Sequence, residues 1–401
     1  MEIKLREDKE NKKKLVLFTG GLNFGGMERV IFIARDLLNK EYDIKIVTLY
    51  QTEADYEARD EYYNLNVPPS SKKIITFLKR FVKTIRMKKD LRPDMVFSFG
   101  MYLNYLNVLS NYFIVKKPTT IVGIRSYDWL TDPFLRSNTD KWIMQHANKV
   151  NSVSKMIAKD AERIWGIPLD KNQVIYNPYD VNDIIRKAEE DINDFDFDTS
   201  KYYFITMGRL SDQKGYGHLI RAFSKVSGKY ANTRLLILGN GDRREKLIEM
   251  IREYDLEEKV LLLGGKNNPY RYVKKSNIYV MSSVSEGFPN ALSEAMCIGT
   301  PVISVNCKSG PSEILFDTFH PLDESSKFWI ADYGLLTKEM TMDKEYVKQD
   351  ISPAEESLAD AMIFAYEHDD YVKNLAIKAQ KHMENYSYSR FKESFIKALE
   401  E

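Results

Sequence analysis

Cysteine is nearly absent: the 401 residues hold two, Cys297 and Cys307. A disulfide-stapled scaffold is thereby excluded, and spacing alone leaves open a single bridge between the pair, which a reducing compartment disfavours. Histidine is scarce as well. Its five residues (146, 218, 320, 368 and 382) are not closely paired, and neither cysteine has a ligand-type neighbour. No tightly held zinc is expected. Net charge is missing too. Lys and Arg number 59 against 58 Asp and Glu, a formal balance of +1, so whole-molecule charge makes no case for nucleic acid. No apolar run approaches the ~18 residues needed to span a bilayer. The opening MEIKLREDKENKKK is charged where a secretory leader needs an apolar centre. A cytoplasmic location is the expectation.

What is present points to a substantial core. Hydrophobic residues make up 43 % and charged residues 29 %, as in globular chains, and the length predicts two or three domains at about 150 residues each. In the first half, KLVLFTG (14–20), DIKIVTLY (43–50), DMVFSFG (94–100), TTIVGI (119–124) and KVNSVS (149–154) read as strands, and MERVIFIARDLLNK (27–40) reads as a helix. The second half repeats the scheme with YYFITMG (202–208), RLLILG (234–239), KVLLLG (259–264), NIYVMSS (277–283) and PVISV (301–305). Strands alternating with helices imply parallel sheets covered on both faces. The turn-rich YNPYDVND (176–183) and acidic DINDFDFDTS (191–200) mark the boundary. The expectation is α/β: two doubly wound parallel-sheet, Rossmann-like domains, 1–180 and 181–385, facing across a cleft, with sites at the carboxyl ends of strands. Residues 386–401 should form a helix that packs back on the first domain.

Four stretches follow strands and could carry chemistry. TGGLNFGGMER (19–29) is either a tight turn or a loop facing phosphate or sugar. It is not a dinucleotide site, because its spacing is not G-x-G-x-x-G and the second strand ends in Tyr50-Gln51 where a ribose-binding acid belongs. A P-loop fails for want of G-K-[ST]. GRLSDQKG (208–215) puts Arg209 and Lys214 on one loop, which suits a diphosphate or is ordinary surface charge. LGNGDRREKL (238–247) turns through Gly239, Asn240 and Gly241, a geometric role beside the same cleft.

The fourth is MSSVSEGFPNALSEAM (281–296). Gly287 and Pro289 break any helix, so Glu286 is expected on a loop and Glu294 a turn inside a helix beginning near Asn290. That helix start offers the amides of Ala291 and Leu292 to an anion. A diphosphate there would be clamped by Arg209 and Lys214, with Glu294 accepting ribose hydroxyls and Glu286 sugar hydroxyls. A glycosidase-type acid–base pair would need both carboxyls flanking one bond, which loop-then-helix geometry makes less natural.

GRLSDQKG, LILGNGDRREKL and SEGFPNALSEAMCIGTPVISVNCKSGPSEIL resemble the core of the family 4 retaining glycosyltransferases of GT-B fold, whose Glu, seven residues, Glu signature is met by Glu286 and Glu294. The resemblance is strong over the second domain and looser over the first, through GGLNFGGMERV. It implies Arg209 and Lys214 on the donor diphosphate, Glu294 on the ribose, and Glu286 at the donor sugar. Gly287, Phe288, Pro289 and Asn290 lie alongside through their backbone, and Gly25 and Gly26 near the phosphate. It further implies a nucleotide-diphosphate sugar, by family frequency a UDP-sugar, as donor, a hexosyl-type transfer with retained anomeric configuration, and no bound metal or other cofactor. The acceptor would be a glycan or a polyprenyl-diphosphate-linked glycan in surface-polysaccharide assembly. Many relatives carry a His after the fourth strand of the first domain. This chain has IRSYD (124–128), so Arg125 or Asp128 is expected to face the cleft or to form a structural salt bridge. Two other classes fit less well: a nucleotide-sugar epimerase on a similar fold, needing no acceptor, and a non-catalytic binding subunit, which would be free to lose these charged residues.

Residues 72–92, KKIITFLKRFVKTIRMKKDLR, carry nine Lys and Arg against one Asp. Ile74, Ile75, Phe77, Leu78, Phe81, Val82 and Ile85 recur at helical spacing as one apolar stripe. The expectation is a helix packed by that stripe on the first sheet, with a basic face that is either merely solvated or drawn to anionic lipid.

Overall fold

The computed structural model describes residues 12–22, 26–51, 62–126, 138–317, 322–342 and 346–400. The chain forms two compact units, Met1–Pro178 with Tyr388–Glu401, and Tyr179–Ser387.

In the first unit, strands β1 (Lys13–Thr19), β2 (Tyr42–Thr48), β3 (Tyr62–Asn64), β4 (Met95–Phe99), β5 (Thr119–Ile124), β6 (Lys149–Ser152) and β7 (Asn172–Val174) form one sheet. Its order is β3-β2-β1-β4-β5-β6-β7, with every neighbour parallel. Alternation along each strand feeds two cores. Leu15, Leu17, Phe97 and Ile121 pack with the helices Gly26–Leu38 and Tyr388–Glu400. Val16, Phe18 and Val96 pack on the other face with Met87, Leu103 and Leu106. The C-terminal helix is held at its end as well as by its apolar face. Lys149 Nζ donates to the carbonyls of Ala398 and Leu399, at 3.1 and 2.9 Å, satisfying oxygens that a helix end leaves without partners.

In the second unit, β8 (Tyr202–Met207), β9 (Thr233–Leu238), β10 (Val260–Gly264), β11 (Ile278–Met281), β12 (Val302–Val305), β13 (Trp329–Ile330) and β14 (Leu335–Thr337) form the sheet β10-β9-β8-β11-β12-β14-β13. Only the β13–β14 pair is antiparallel. Both sheets follow the doubly wound order, with the reversal at β1/β4 in one and β8/β11 in the other, where such sheets bind ligands. Helices Tyr216–Lys229 and Pro353–Glu367 pack through Phe223, Val226, Leu358 and Met362. A buried polar seam aligns them. Arg221 Nε and His218 Nδ1 each lie 2.6 Å from Glu355 Oε1, and the Ser352 amide donates to Glu355 Oε2 at 2.7 Å. Burial opposes ionisation of Glu355, but bonds from His218, the Ser352 amide and Arg221 outweigh it and hold the carboxyl at about 2.

The basic segment forms the helix Lys73–Leu91, and the structure corrects the expected stripe. The face turned inward is Thr76, Arg80, Thr84, Met87 and Lys88. Phe77 and Phe81 are half-buried against the core, whereas Ile74, Ile75, Leu78 and Val82 are exposed. The polar face can be buried because its groups find partners. Arg80 donates twice to the Val67 carbonyl, at 3.0 and 2.9 Å. Lys88 Nζ reaches the Asn107 carbonyl at 2.7 Å and the side-chain oxygens of Asn107 and Asn111 at 3.0 and 2.6 Å. Desolvation without a carboxylate partner pulls the Lys88 ammonium down to about 7.

Candidate functional site

The reversal point of the second sheet is built from the loops that follow β8 and β11. The first loop runs Gly208–Gly215 and the second Ser282–Pro289, and they are stitched together by short-range bonds. Gln213 Nε2 donates to the Ser285 carbonyl at 2.8 Å, the Val284 amide to the Gln213 carbonyl at 2.9 Å, and Ser282 Oγ to the Lys214 carbonyl at 2.9 Å. Gly215 makes this approach feasible. Its φ is +63°, and a Cβ there would lie 2.1 Å from the Ser282 carbonyl oxygen. Asp212 braces the loop from behind, taking Arg243 Nε and Nη2 at 2.6 and 2.8 Å and the Tyr346 hydroxyl at 3.0 Å. The Arg243 bonds hold its carboxyl below the ordinary carboxylate range.

Lys214 Nζ lies 2.7 Å from Glu286 Oε1, across the reversal point. Both side chains line a small pocket with Thr206, Tyr216, Tyr279, Pro289 and Ala291. The helix Asn290–Ile298 begins at this rim, with Pro289 as its N-cap and no side-chain cap. Its first amides are therefore the donors that face the pocket mouth. Glu294 is buried on that helix, 8 % exposed. Asn290 Oδ1 accepts from the Tyr179 hydroxyl at 2.7 Å. The Gly287 carbonyl accepts from Ser309 Oγ at 2.8 Å, so that oxygen serves the loop. Phe288 turns inward against Tyr386, ring centroids 5.5 Å apart, and Leu292 is fully buried. Only main-chain groups of these two remain for a ligand.

Arg209 is exposed and makes no side-chain hydrogen bond or ion pair among the described residues. Gly239 packs against the same loop: a Cβ on it would lie 1.9 Å from the Gly208 carbonyl oxygen, and its φ is +145°. Asn240 is engaged in scaffolding, its carbonyl accepting from the Leu210 amide at 2.9 Å and its Oδ1 from the Gly265 amide at 3.0 Å. Gly26 opens the helix Gly26–Leu38 of the first unit, while Gly25 and Asp128 lie outside the described residues. Thr206, Tyr216, Tyr279 and Ser309 were not anticipated. Strand-end and loop positions of this kind carry no periodicity, although Tyr216 could have been flagged by the Lys-Gly that precedes it.

Two family models match, Glycosyltransferase Family 4 over residues 24–183 and Glycosyl transferases group 1 over residues 187–333. A Campylobacter jejuni relative, N-acetylgalactosamine-N,N'-diacetylbacillosaminyl-diphospho-undecaprenol 4-alpha-N-acetylgalactosaminyltransferase, is 30 % identical over 319 residues, covering 76 % of this chain and 84 % of the relative. The chain belongs to glycosyltransferase family 4. The Erwinia amylovora amylovoran biosynthesis glycosyltransferase AmsD is 28 % identical to this glycosyltransferase over 84 % of the chain and 93 % of AmsD. The crystal structure of Anabaena HepE in complex with UDP superposes with a TM-score of 0.72 at 14 % identity, over 96 % of this chain and 99 % of that one. The fold of this glycosyltransferase is GT-B, with a Rossmann-like sheet in each unit. Among the described residues no cluster of His, Cys, Asp and Glu could hold a metal ion, and no helix is long and apolar enough to cross a membrane.

Proposed function

We propose that this glycosyltransferase moves a hexosyl-type sugar from a UDP-linked donor to a glycan or polyprenyl-diphosphate-linked glycan, with retention, in surface-polysaccharide assembly. The observation that carries the donor reading is the Lys214–Glu286 pair at the reversal point, beside the open amides of the helix starting at Asn290. In this reading the diphosphate takes those amides, Arg209 and Lys214, and the cations stabilise the charge that develops as the diphosphate leaves. Lys214 then shares its charge between Glu286 and phosphate. Glu286 holds sugar hydroxyls, and Glu294 takes the ribose. Gly239 and Asn240 shape the loop that presents Arg209. Support for the nucleotide comes from a structural neighbour that binds UDP, and for a lipid-linked acceptor from the diphospho-undecaprenol substrate named for the Campylobacter relative.

Calorimetric titration of UDP, GDP and ADP into the native chain and Glu294→Ala tests this. UDP alone should bind tightly and weaken on truncation. Absence of binding by all three nucleotides would sink the donor assignment.

The same reading places the protein at an anionic membrane surface. Ile74, Leu78 and Val82 are 78, 54 and 57 % exposed, with Lys73, Lys79, Arg86 and Lys89 exposed on the same helix. The patch continues through Phe113, 60 % exposed and in edge contact with Phe81 at 5.5 Å. Apolar side chains interspersed with cations suit a lipid interface, at about 1 kcal/mol per basic residue near the surface. Binding to anionic liposomes should be strong at low salt and be lost in Ile74→Ser/Leu78→Ser/Val82→Ser. Equal binding to neutral liposomes would contradict the role given to the lysines.

A further inference from the structure

The reversal point of the first sheet carries a cation of a different kind. Arg125 follows β5 directly, and β5 is paired to β4 with Gly123 opposite Phe99. Its guanidinium lies over two rings, 5.0 Å from the centroid of Phe99 and 5.8 Å from that of Phe97. Nε and Nη2 are shielded from solvent and have no hydrogen-bond partner. No carboxylate forms an ion pair with it among the described residues. Arginine presents five donors and stays charged when buried, and burial lowers this one only to about 10. A half-buried cation whose Nε and Nη2 donors are shielded from water and idle is costly to fold around. The two rings repay part of that through cation–π attraction, but they supply no acceptor for the in-plane N–H groups.

The surroundings leave room for one. Among the described residues, a Cβ added at Gly20, after β1, or at Gly100, after β4, would meet nothing within 4 Å. Those are the two strand ends that flank the order reversal, where open α/β sheets take ligands. Gly100 also starts the ten-residue helix Met101–Ser110 without a side-chain cap. Open space, idle donors and a fixed planar fork occur together at the end of the sheet.

We infer that Arg125 is a substrate-binding residue of the first unit, whose guanidinium receives a phosphoryl oxyanion. This rests on the proposed function for the claim that the substrates carry phosphate. The phosphoryl group belongs either to the nucleotide donor or to a diphosphate-linked acceptor, and one titration separates them. The probe is inorganic pyrophosphate, added to the full chain with and without saturating UDP, for the native protein, Arg125→Met and Arg125→Lys. Arg125→Lys, which keeps the charge, serves if the Met variant does not fold.

Arg125→Met should weaken pyrophosphate binding by about tenfold or more, as expected for losing charge-assisted bonds. Its melting temperature should be unchanged or higher, because an unsatisfied half-buried cation has been removed. Arg125→Lys should fall between the two in affinity. Weakening with UDP present assigns the anion to the acceptor. Weakening seen only without UDP assigns it to the donor. Unchanged affinity in both conditions overturns the inference, as does a lowered melting temperature with unchanged affinity, the signature of a purely structural cation–π role. Failure of UDP to bind would sink the donor reading while leaving the UDP-free comparison of Arg125 intact.

Discussion

The two units share one strand order and treat their reversal points differently. In the second, two of the three charges on the Gly208–Gly215 loop are committed: Lys214 to Glu286, and Asp212 to Arg243 and Tyr346. The loops are packed so closely that glycine is required at Gly215 and Gly239. In the first, among the described residues, nothing lies within 4 Å of a Cβ at Gly20 or Gly100, and Nε and Nη2 of Arg125 have no hydrogen-bond partner. A site built in advance from paired charges and tight turns recognises a constant group with little reorganisation on binding. An open site with an unsatisfied cation is completed by its ligand.

The largest way to break this contrast is through the buried seam of the second unit. Glu355→Ala leaves Arg221 buried without its anion and should destabilise by about 3–5 kcal/mol, read by urea denaturation. The same seam sets an acid limit. Glu355 ionises at about 2 when folded and near 4.3 in an open chain, so the stability it contributes is fully present above the open-chain value. It is lost as pH falls from about 4.5 through 2, and acid melts should track that window in the native chain and lose it in Glu355→Gln.

Next is the glycine contrast. Gly239→Ala, at a positive φ and against the Gly208 carbonyl, should lower stability by at least about 2 kcal/mol. Gly20→Ala should change it by less than about 0.5 kcal/mol. Equal effects of the two in the same denaturation series would erase the difference between the tight and the open site.

A smaller effect distinguishes the units by pH. Lys88 sits at about 7 when folded against about 10.4 when open, so between these values the unfolded chain binds more protons and stability must rise with pH. The melting temperature of the first unit should climb from pH 7 to 9, and Lys88→Met should flatten the climb. The smallest effect is expected at Arg209. Being exposed and unpaired among the described residues, its change to Ala should leave stability within about 0.5 kcal/mol while UDP affinity drops. A stability loss there would show that it braces the loop.

Much of this was legible in the chain. The ten apolar runs read as strands are all strands, because parallel strands buried on both faces need continuous apolar residues. Tyr62–Asn64, Asn172–Val174, Trp329–Ile330 and Leu335–Thr337 were not foreseen. Two or three residues are too few for a period, and pairing with a neighbouring strand alone makes them strands. The loop-then-helix reading of residues 282–296 rested on Gly287 and Pro289, and the helix indeed begins at Asn290. The contact of Lys214 with Glu286 was not legible, since the two lie 72 positions apart and meet only because β8 and β11 are neighbours. The helix Lys73–Leu91 misled for the opposite reason. Its apolar spacing was real, but periodicity identifies a face without saying which way it turns.

By itself, then, the sequence determined the repeated strand–helix alternation, the breaks that end each strand, and the residue types available to hold a diphosphate. Those are local properties, set by backbone sterics and side-chain pattern. Tertiary structure alone decided which distant loops would meet and which face of the basic helix would be buried. It also decided that Lys214 would find a carboxylate while Arg125 would lie over aromatic rings. Pairing and burial depend on the desolvation of groups from several elements at once, and no short window of sequence contains them all.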